Sequence, residues 1–241
     1  MISDEHRKKL EKISSRSGYF IGDGYKFLML STSFKSQNDG YIFQNDEIFY
    51  TCEGKFTKIS FEELKLSLDT KLKYFKDSLD EYEEQILEIE NLTYKSKFDK
   101  NFLEKYFKLK RAFTNFAALH QYFMVAVGDF ASDFAVYKKE LRSLNESLGR
   151  IDKIIDDTAL KLSMVFSYYS SLNDKKHSKN LYILTIISAF FLPLNLITGF
   201  FGMNTGDMFL SSPNGTATVL AAIVCIAVLG VFWFVKNKDK V

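Results

Sequence analysis

The chain has 241 residues, of which 46% are hydrophobic and 26% charged, and its formal net charge is +2. A net charge this small, carried by dispersed basic residues, excludes nucleic acid as an expected partner. Charged residues become rare after Lys179, so the composition predicts a charged cytoplasmic part and an apolar, membrane-spanning C-terminal quarter.

Short β-like runs characterise residues 1–58, which we predict to form a small β-containing cytoplasmic region. The runs are Tyr25–Thr32, Tyr41–Phe43 and Glu47–Thr51, and turn sequences occur at Gly22-Asp23-Gly24, Asn38-Asp39-Gly40 and Asn45-Asp46. Asp-Gly between apolar runs favours a hairpin. Because such a unit buries little core alone, we expect it to pack on the following helices or on a neighbouring subunit.

Residues 59–180 are predicted to form a bundle of long antiparallel helices and a stalk. Ser60 and Glu63 match a capping box, and leucines and isoleucines then recur at helical spacing until a break near Asn91. A second helix is predicted from about Phe98 to Val127.

A third helix is predicted to begin at about Ala131 and to continue into the membrane. If it reached Asn204 it would be about 110 Å long at 1.5 Å per residue. A helix of that length needs neighbours, so we predict packing against the other helices and against copies of itself.

The predicted first helix carries a run of acidic side chains, at Asp77, Asp80, Glu81, Glu83, Glu84, Glu88 and Glu90. A charge run on a bundle helix is usually a solvated face. The alternative is a surface that concentrates cations near a cytoplasmic entrance or exit.

The C-terminal region, residues 181–241, contains two uncharged apolar stretches. We predict transmembrane helices at 181–201 and 216–235, a connecting loop at 202–215 and a basic tail at 236–241. Each stretch would span roughly 30 Å as a helix, the thickness of a hydrocarbon core. Lysines precede the first stretch and follow the second, whereas the loop between them has none, so both termini are expected on the cytoplasmic side of the cell (inner) membrane.

Cys52 and Cys225 are expected to be unpaired, because a reducing cytoplasm disfavours a disulfide.

The first predicted span has a polar stripe, which we define by residues at alternating steps of four and three. Its members are Leu181, Thr185, Ser188, Leu192, Asn195, Gly199 and Gly202. Polar groups in a membrane helix face a bundle interior or a water-filled space. Small and hydroxyl residues also serve close helix packing. The stripe by itself therefore leaves pore lining and helix packing as equal alternatives.

Neither predicted span contains a carboxylate, Lys, Arg or His side chain. A proton relay or charge-coupled transporter normally needs such groups, so passive conduction is favoured. Neutral amides and hydroxyls replace a dication's water shell poorly, which favours passage of a hydrated ion. Mg²⁺ releases its waters reluctantly, whereas Zn²⁺ usually takes Cys, His or carboxylate ligands directly.

The run from Pro193 to Asn204, Pro-Leu-Asn-Leu-Ile-Thr-Gly-Phe-Phe-Gly-Met-Asn, precedes a short loop, a terminal span and a lysine-rich tail. This arrangement resembles the CorA family of divalent metal ion transporters. The match is specific over the C-terminal part of the chain and extends to the helical region only by pattern. The resemblance implies a homopentamer whose first spans line a central pore, with transported Mg²⁺ or Zn²⁺ and no cofactor.

The resemblance also implies a selectivity ring of Gly202, Met203 and Asn204 at the outer mouth of the pore. Asn204 would hold a hydrated dication through its waters, and Gly202 would permit close approach. The polar stripe would line the pore. Leu181, Leu184 and Leu192 would be candidates for an apolar constriction that gates by dewetting, with ordinary helix contact as the alternative.

Three features depart from the family pattern. The region before the helices is short, and Ser167 stands where the magnesium transporters typically have an acidic residue. Candidate replacements for that regulatory acid are Asp152, Asp156, Asp157 and Asp174. The loop sequence Thr205-Gly206-Asp207 is closer to the zinc-transporting, ZntB-like branch, and Asp207 would still attract cations to the mouth.

The leading hypothesis is a CorA-type channel for hydrated Mg²⁺, with Co²⁺ and Ni²⁺ as mimics, and a Zn²⁺ transporter of the same family is the alternative. A membrane-anchored coiled-coil scaffold is the alternative from another class. An enzyme is least favoured, because the histidines are scattered and no nucleophile has an evident base partner. His120 is expected to pack in the bundle, and His177 to be solvated near the membrane.

Overall fold

The computed structural model describes residues 16–33, 38–52, 55–95 and 101–202, together with residues 215, 217, 218, 221, 224 and 225. Contacts divide the chain into two compact units, Met1–Ser167 and Tyr168–Val241.

The first unit begins with a five-stranded antiparallel sheet in which each strand pairs with the next along the chain. The strands are β1 (Gly18–Gly22), β2 (Tyr25–Leu30), β3 (Asp39–Gln44), β4 (Glu47–Cys52) and β5 (Lys55–Ile59). The sequence analysis identified β2, β3 and β4 and missed the two edge strands. Both edge strands are five residues long, and β1 has glycine at each end, so their periodicity is weak.

Two of the three predicted turns are confirmed. Gly24 in the β1–β2 turn has a φ of +80°, and Asn45 and Asp46 in the β3–β4 turn have φ values of 50° and 60°. Two consecutive residues with positive φ make the type I′ turn that suits the twist of a hairpin.

The turn predicted at Asn38-Asp39-Gly40 is wrong, because Asp39 and Gly40 lie in β3. Asp39 is held there by Lys71 of the first helix and by the hydroxyl of Tyr50, at 2.7 Å. A Cβ on Gly40 would lie 2.6 Å from a methyl carbon of Thr51 on the neighbouring strand. Gly40 is therefore needed because a larger residue would clash with the neighbouring strand, and not because the chain turns there.

Three helices follow: α1 (Phe61–Tyr94), α2 (Phe102–Asp133) and α3 (Lys138–Gly202), with a 3₁₀ turn at Ala135–Tyr137. The predicted capping box is confirmed. The Ser60 hydroxyl accepts the Glu63 N–H at 3.2 Å, and the Glu63 carboxylate accepts the Ser60 N–H at 2.7 Å.

The predicted start of the third helix at Ala131 is wrong, because α2 continues to Asp133 and α3 begins at Lys138. The corner between them contains no proline or glycine. It is formed by Phe134, which leaves helical geometry and packs its ring 4.8 Å from that of Phe43 in the sheet. A tertiary aromatic contact, rather than a local breaker, therefore separates the two helices.

The core of the helical part is an aromatic layer between antiparallel helices. Along α1, Phe75 contacts the ring of Phe123 and Tyr82 contacts that of Phe113, so rising numbers on α1 meet falling numbers on α2. On the other side of α2, the Tyr106 hydroxyl donates to the Leu162 carbonyl at 3.1 Å. The prediction of a small N-terminal sheet followed by long antiparallel helices is confirmed.

Candidate ion pathway

Within the second unit, α3 has one covered face and one exposed face. The covered or half-buried side chains in the predicted first span are Tyr182, Ile183, Ile186, Phe190, Leu194 and Ile197. Most of them recur at steps of three and four, so they form a face of the helix. Ile186, which is 9% exposed, is the most deeply covered of them.

All seven residues of the polar stripe are exposed within the chain. Leu181 is 63% exposed and Leu192 is 69% exposed, and Leu184 beside the stripe is exposed as well. Successive helical residues are 100° apart, so Ser188 lies about 200° around the helix from Ile186. The polar stripe therefore lies opposite the face that the chain itself covers.

Threonine hydroxyls in this span are bonded to their own helix. Thr185 Oγ1 donates to the Leu181 carbonyl at 2.9 Å, and Thr198 Oγ1 donates to the Leu194 carbonyl at 3.0 Å. Since a hydroxyl has one hydrogen and two lone pairs, each oxygen keeps acceptor capacity after this bond. The Thr185 oxygen on the stripe can therefore accept a hydrogen bond from a water molecule that hydrates a cation.

Among the described residues, the glycines of the stripe make no tight contact, since a Cβ built on Gly199 or Gly202 meets nothing within 4 Å there. The described part of α3 extends to Gly202. Met203, Asn204 and Asp207, which complete the predicted selectivity ring and mouth loop, lie outside the described residues.

The predicted regulatory acids all lie on α3. Asp156, Asp157 and Asp174 are exposed, and Asp152 is half-buried next to His120. Among the described residues, no three His, Cys, Asp or Glu side chains are grouped closely enough to hold a metal ion. Asp174 precedes Leu181 by seven residues, about two helical turns, and so lies on the same side of α3 as the polar stripe.

Ser167 is exposed and donates its hydroxyl to the Ser163 carbonyl at 3.2 Å. His177 is also exposed, as predicted. His120 is buried in the bundle, which confirms its predicted packing role. The pairing of His120 with Asp152 was not predicted, because the two residues lie on different helices and no local pattern links them.

The acidic run on α1 forms an exposed face. Its exposed members are Asp77, Asp80, Glu81, Glu84 and Glu88, at spacings that place them on one side of the helix. Glu83 is half-buried and accepts the Thr158 hydroxyl at 3.4 Å.

In the described part of the chain, one helix is long and apolar enough to cross a membrane, and its candidate range is Lys138–Gly199. The second predicted span, 216–235, is described only at residues 217, 218, 221, 224 and 225, which are helical and exposed. Cys225 in that span is a free thiol.

Comparison with protein families gives a match over most of the chain. A family model described as "CorA-like Mg2+ transporter protein" matches residues 34–237.

Curated relatives match over a shorter region. The zinc transport protein ZntB of Yersinia enterocolitica is 24% identical over 101 residues, 42% of this chain and 31% of that protein. ZntB of Vibrio parahaemolyticus is 26% identical over 93 residues, 39% of this chain and 28% of the relative. The matched region therefore spans less than a third of the length of these relatives.

Solved structures share the fold. The CorA magnesium transporter of Methanocaldococcus jannaschii superposes with a TM-score of 0.70 at 16% identity, covering 97% of this chain and 87% of that one. Full-length CmaX gives 0.68 at 15% identity, covering 99% and 82%. The ZntB cytoplasmic domain of Vibrio parahaemolyticus gives 0.57 at 13% identity, covering 72% and 80%. At these identities the similarity shows the fold.

Proposed function

This chain belongs to the CorA family, and from that premise we propose that it carries hydrated divalent cations across a membrane. The observation that carries the proposal is the position of the polar stripe. Its hydroxyl and amide side chains are exposed on the face of α3 opposite the one that the chain covers itself. In a hydrocarbon environment such groups need a polar partner, which either a water-filled pathway or another copy can supply.

Several copies of the chain enclose the pathway in this proposal, as a homopentamer whose polar stripes face a common axis. In the described part of the chain nothing lies within 4 Å of a Cβ placed on Gly199 or Gly202, and this supports the assembly, because such positions let a neighbouring helix approach closely. The predicted location is the cell (inner) membrane, with two spans per chain and both termini in the cytoplasm.

The chemistry of the stripe suits an ion that keeps its waters. A hydrated cation presents hydrogens outward, and Thr185, Ser188 and Asn195 offer neutral oxygen acceptors to them. Neutral oxygens of this kind are weak substitutes for the inner water shell of a dication. Leu181, Leu184 and Leu192 are the proposed constriction, where loss of water from an apolar ring would stop conduction.

The proposed selectivity ring is Gly202, Met203 and Asn204, and in it the Asn204 amide binds the cation through water. Asp207 in the loop would raise the local cation concentration at the mouth. Both assignments come from the sequence motif, whose first residue, Gly202, lies in α3.

Mg²⁺ is the first candidate for the transported ion, because it holds its waters most firmly and the stripe offers no strong ligand to replace them. Zn²⁺ is the second candidate. It is favoured by a specific observation, that the curated relatives matched by the chain are named zinc transport proteins. The Thr205-Gly206 start of the loop agrees with the zinc branch.

Flux into proteoliposomes holding the full chain tests the proposal, with Mg²⁺-sensitive and Zn²⁺-sensitive dyes used side by side. A matched pair of variants distinguishes lining of the ion pathway from helix packing. Thr185→Val changes a residue of the polar stripe, and Thr198→Val changes a threonine about a quarter turn around the helix from Gly199 of the stripe. Both lose a hydroxyl that is bonded to the preceding turn. We expect severalfold lower flux in the first variant, wild-type flux in the second, and loss of flux in Asn204→Ala.

The dye that responds identifies the ion. Equal effects of the two threonine variants would contradict the assignment of the polar stripe to the pathway. If neither ion moves although the protein forms an intact oligomer, transport is wrong and a membrane-anchored coiled-coil scaffold becomes the better description.

A further inference from the structure

His120 is an exception to the rule that buried polar groups are hydrogen-bonded. It lies in the middle of α2 with 0% of its surface exposed, and neither ring nitrogen has a hydrogen-bond partner among the described residues. From α1, the ring of Phe75 packs against it edge to face, with centroids 5.3 Å apart. The imidazole thus forms part of the apolar layer between the helices.

One carboxylate faces this imidazole. Asp152 of α3 places Oδ1 3.6 Å from His120 Nδ1, which is close for two charges but too long for a hydrogen bond. The Asp152 side chain is 39% exposed, so it remains hydrated. In the described part of the chain, Asp152 is the charged group that interacts electrostatically with His120, and the residue of α1 that packs against the imidazole, Phe75, is uncharged.

Protonation changes what this site must accommodate. A neutral imidazole has one donor and one acceptor, whereas the charged form has two donors. The donor on Nδ1 can face Asp152, but a second hydrogen on Nε2 would be buried without an acceptor. Burial therefore lowers the pKa of His120, and the Asp152 carboxylate offsets that shift only in part.

We propose that His120 and Asp152 form an acid-sensitive latch in the cytoplasmic helices: neutral His120 keeps the layer between α1, α2 and α3 closed, and uptake of one proton opens it. Opening lets the charged imidazole reach water beside Asp152, at the exposed edge of the layer. The latch concerns the first unit alone and does not depend on transport.

The direction of the pH dependence follows from linkage. Because the folded state holds His120 below its ordinary pKa, the closed layer has its full stability above the pKa of an exposed histidine, about 6.5. Stability then decreases as the pH falls from there toward the lowered pKa of the closed form. One proton per opening limits the change to about tenfold in the opening equilibrium per pH unit.

Hydrogen exchange of the full chain in detergent, followed by mass spectrometry from pH 7.5 to 5, measures both parts of the latch. Amide exchange, normalised for its intrinsic pH dependence, reports opening of α2 near His120. Slow exchange at the imidazole C2 position reports the titration of His120. We expect protection of α2 to fall by up to tenfold per pH unit, and His120 to titrate below the ordinary histidine pKa of about 6.5.

Two variants and a control complete the test. His120→Leu keeps the layer apolar and should remove the pH-dependent loss of protection, whereas His177→Leu should leave it unchanged. Asp152→Asn changes only a half-exposed side chain, so folding is retained, and it should move the His120 titration to lower pH. Three results would each overturn the proposal: the His120→Leu variant loses protection with pH as the wild type does, the wild type loses no protection, or His120 titrates at the ordinary histidine pKa of about 6.5.

Discussion

At the scale of single residues, Asp133 joins the last turn of α2 to the sheet. Its carboxylate accepts the Tyr19 hydroxyl and lies 2.7 Å from the Lys26 ammonium, so it contacts both β1 and β2. The hydrogen bond from Lys26, and next that from Tyr19, lower the pKa of Asp133. An acid at the end of a helix is unfavourable for the helix dipole, which indicates that the sheet contacts determine this residue.

Replacing Asp133 with Asn should therefore destabilise the first unit. The pair with Lys26 is partly exposed, so we expect a loss of about 1 kcal/mol or less at pH 7. Because the folded state lowers the pKa of Asp133, this contribution is complete above the ordinary aspartate pKa, about 3.9, and disappears as the pH falls through the lowered value. Thermal unfolding of the full chain at pH 7 and pH 3 measures it.

The matched control for this variant is Asp129→Asn, one turn earlier on the same helix. It should change the melting temperature less at pH 7. Asp133 is not the residue that holds the sheet if the Asp133→Asn variant keeps the wild-type melting temperature at both pH values.

At the scale of elements, α1 starts at a defined position because its first turn satisfies its own N–H groups. The Ser60 hydroxyl and the Glu63 carboxylate each accept a backbone N–H of the other residue. Leu64 and Leu68, which follow at helical spacing, are fully buried in the core. The cap therefore sets the register in which the apolar face of α1 meets the sheet and α2.

Substituting Ser60 with Ala should cost about 1 kcal/mol, the usual effect of removing a side-chain cap. Amide exchange in the first turn of α1 should increase, while the centre of the helix keeps its protection. Ser60→Asp is the control, since an aspartate can accept the same N–H and should retain most of the stability. Equal losses in both variants would show that the cap is not the cause.

At the scale of the whole molecule, the exposed side chains of α3 need surroundings that match their polarity. In the second unit the exposed large apolar side chains of α3 include Leu181, Leu184, Ile187, Phe191, Leu192 and Leu196. Lipid can cover an apolar face, but hydroxyl and amide groups in the same span need polar neighbours. Membership of the CorA family and the exposed polar stripe together support an assembly of copies around a hydrated axis.

Gly199→Leu tests that assembly. A Cβ at this position meets none of the described residues within 4 Å, so the added side chain should leave the helix and its membrane insertion intact. If copies approach at this glycine, the larger residue should shift native mass spectra or crosslinking toward smaller assemblies and lower the flux. Thr198→Leu, at the adjacent position off the stripe, should retain the assembly. Identical behaviour of the two variants would place the interface elsewhere.

The sequence alone predicted the features that depend on local pattern. The capping box at Ser60, the turn at Asn45-Asp46, the long helices and the spacing of the polar stripe all follow from residues a few positions apart. The CorA family resemblance, carried by the run that ends at Asn204, is confirmed by the match over residues 34–237.

Tertiary structure decided the features that join distant residues. The α2–α3 corner depends on Phe134 meeting Phe43, the place of Asp39 in a strand depends on Lys71, and the buried His120 meets Asp152 across two helices. No periodicity encodes these pairings, because each forms only after separate elements have packed. The sequence therefore determined the long helices, the N-terminal cap of α1 and the spacing of the polar stripe. The tertiary structure decided where the strands and the α2–α3 corner lie, that the stripe is exposed, and which polar groups of the first unit are buried together, because these depend on contacts between separate elements.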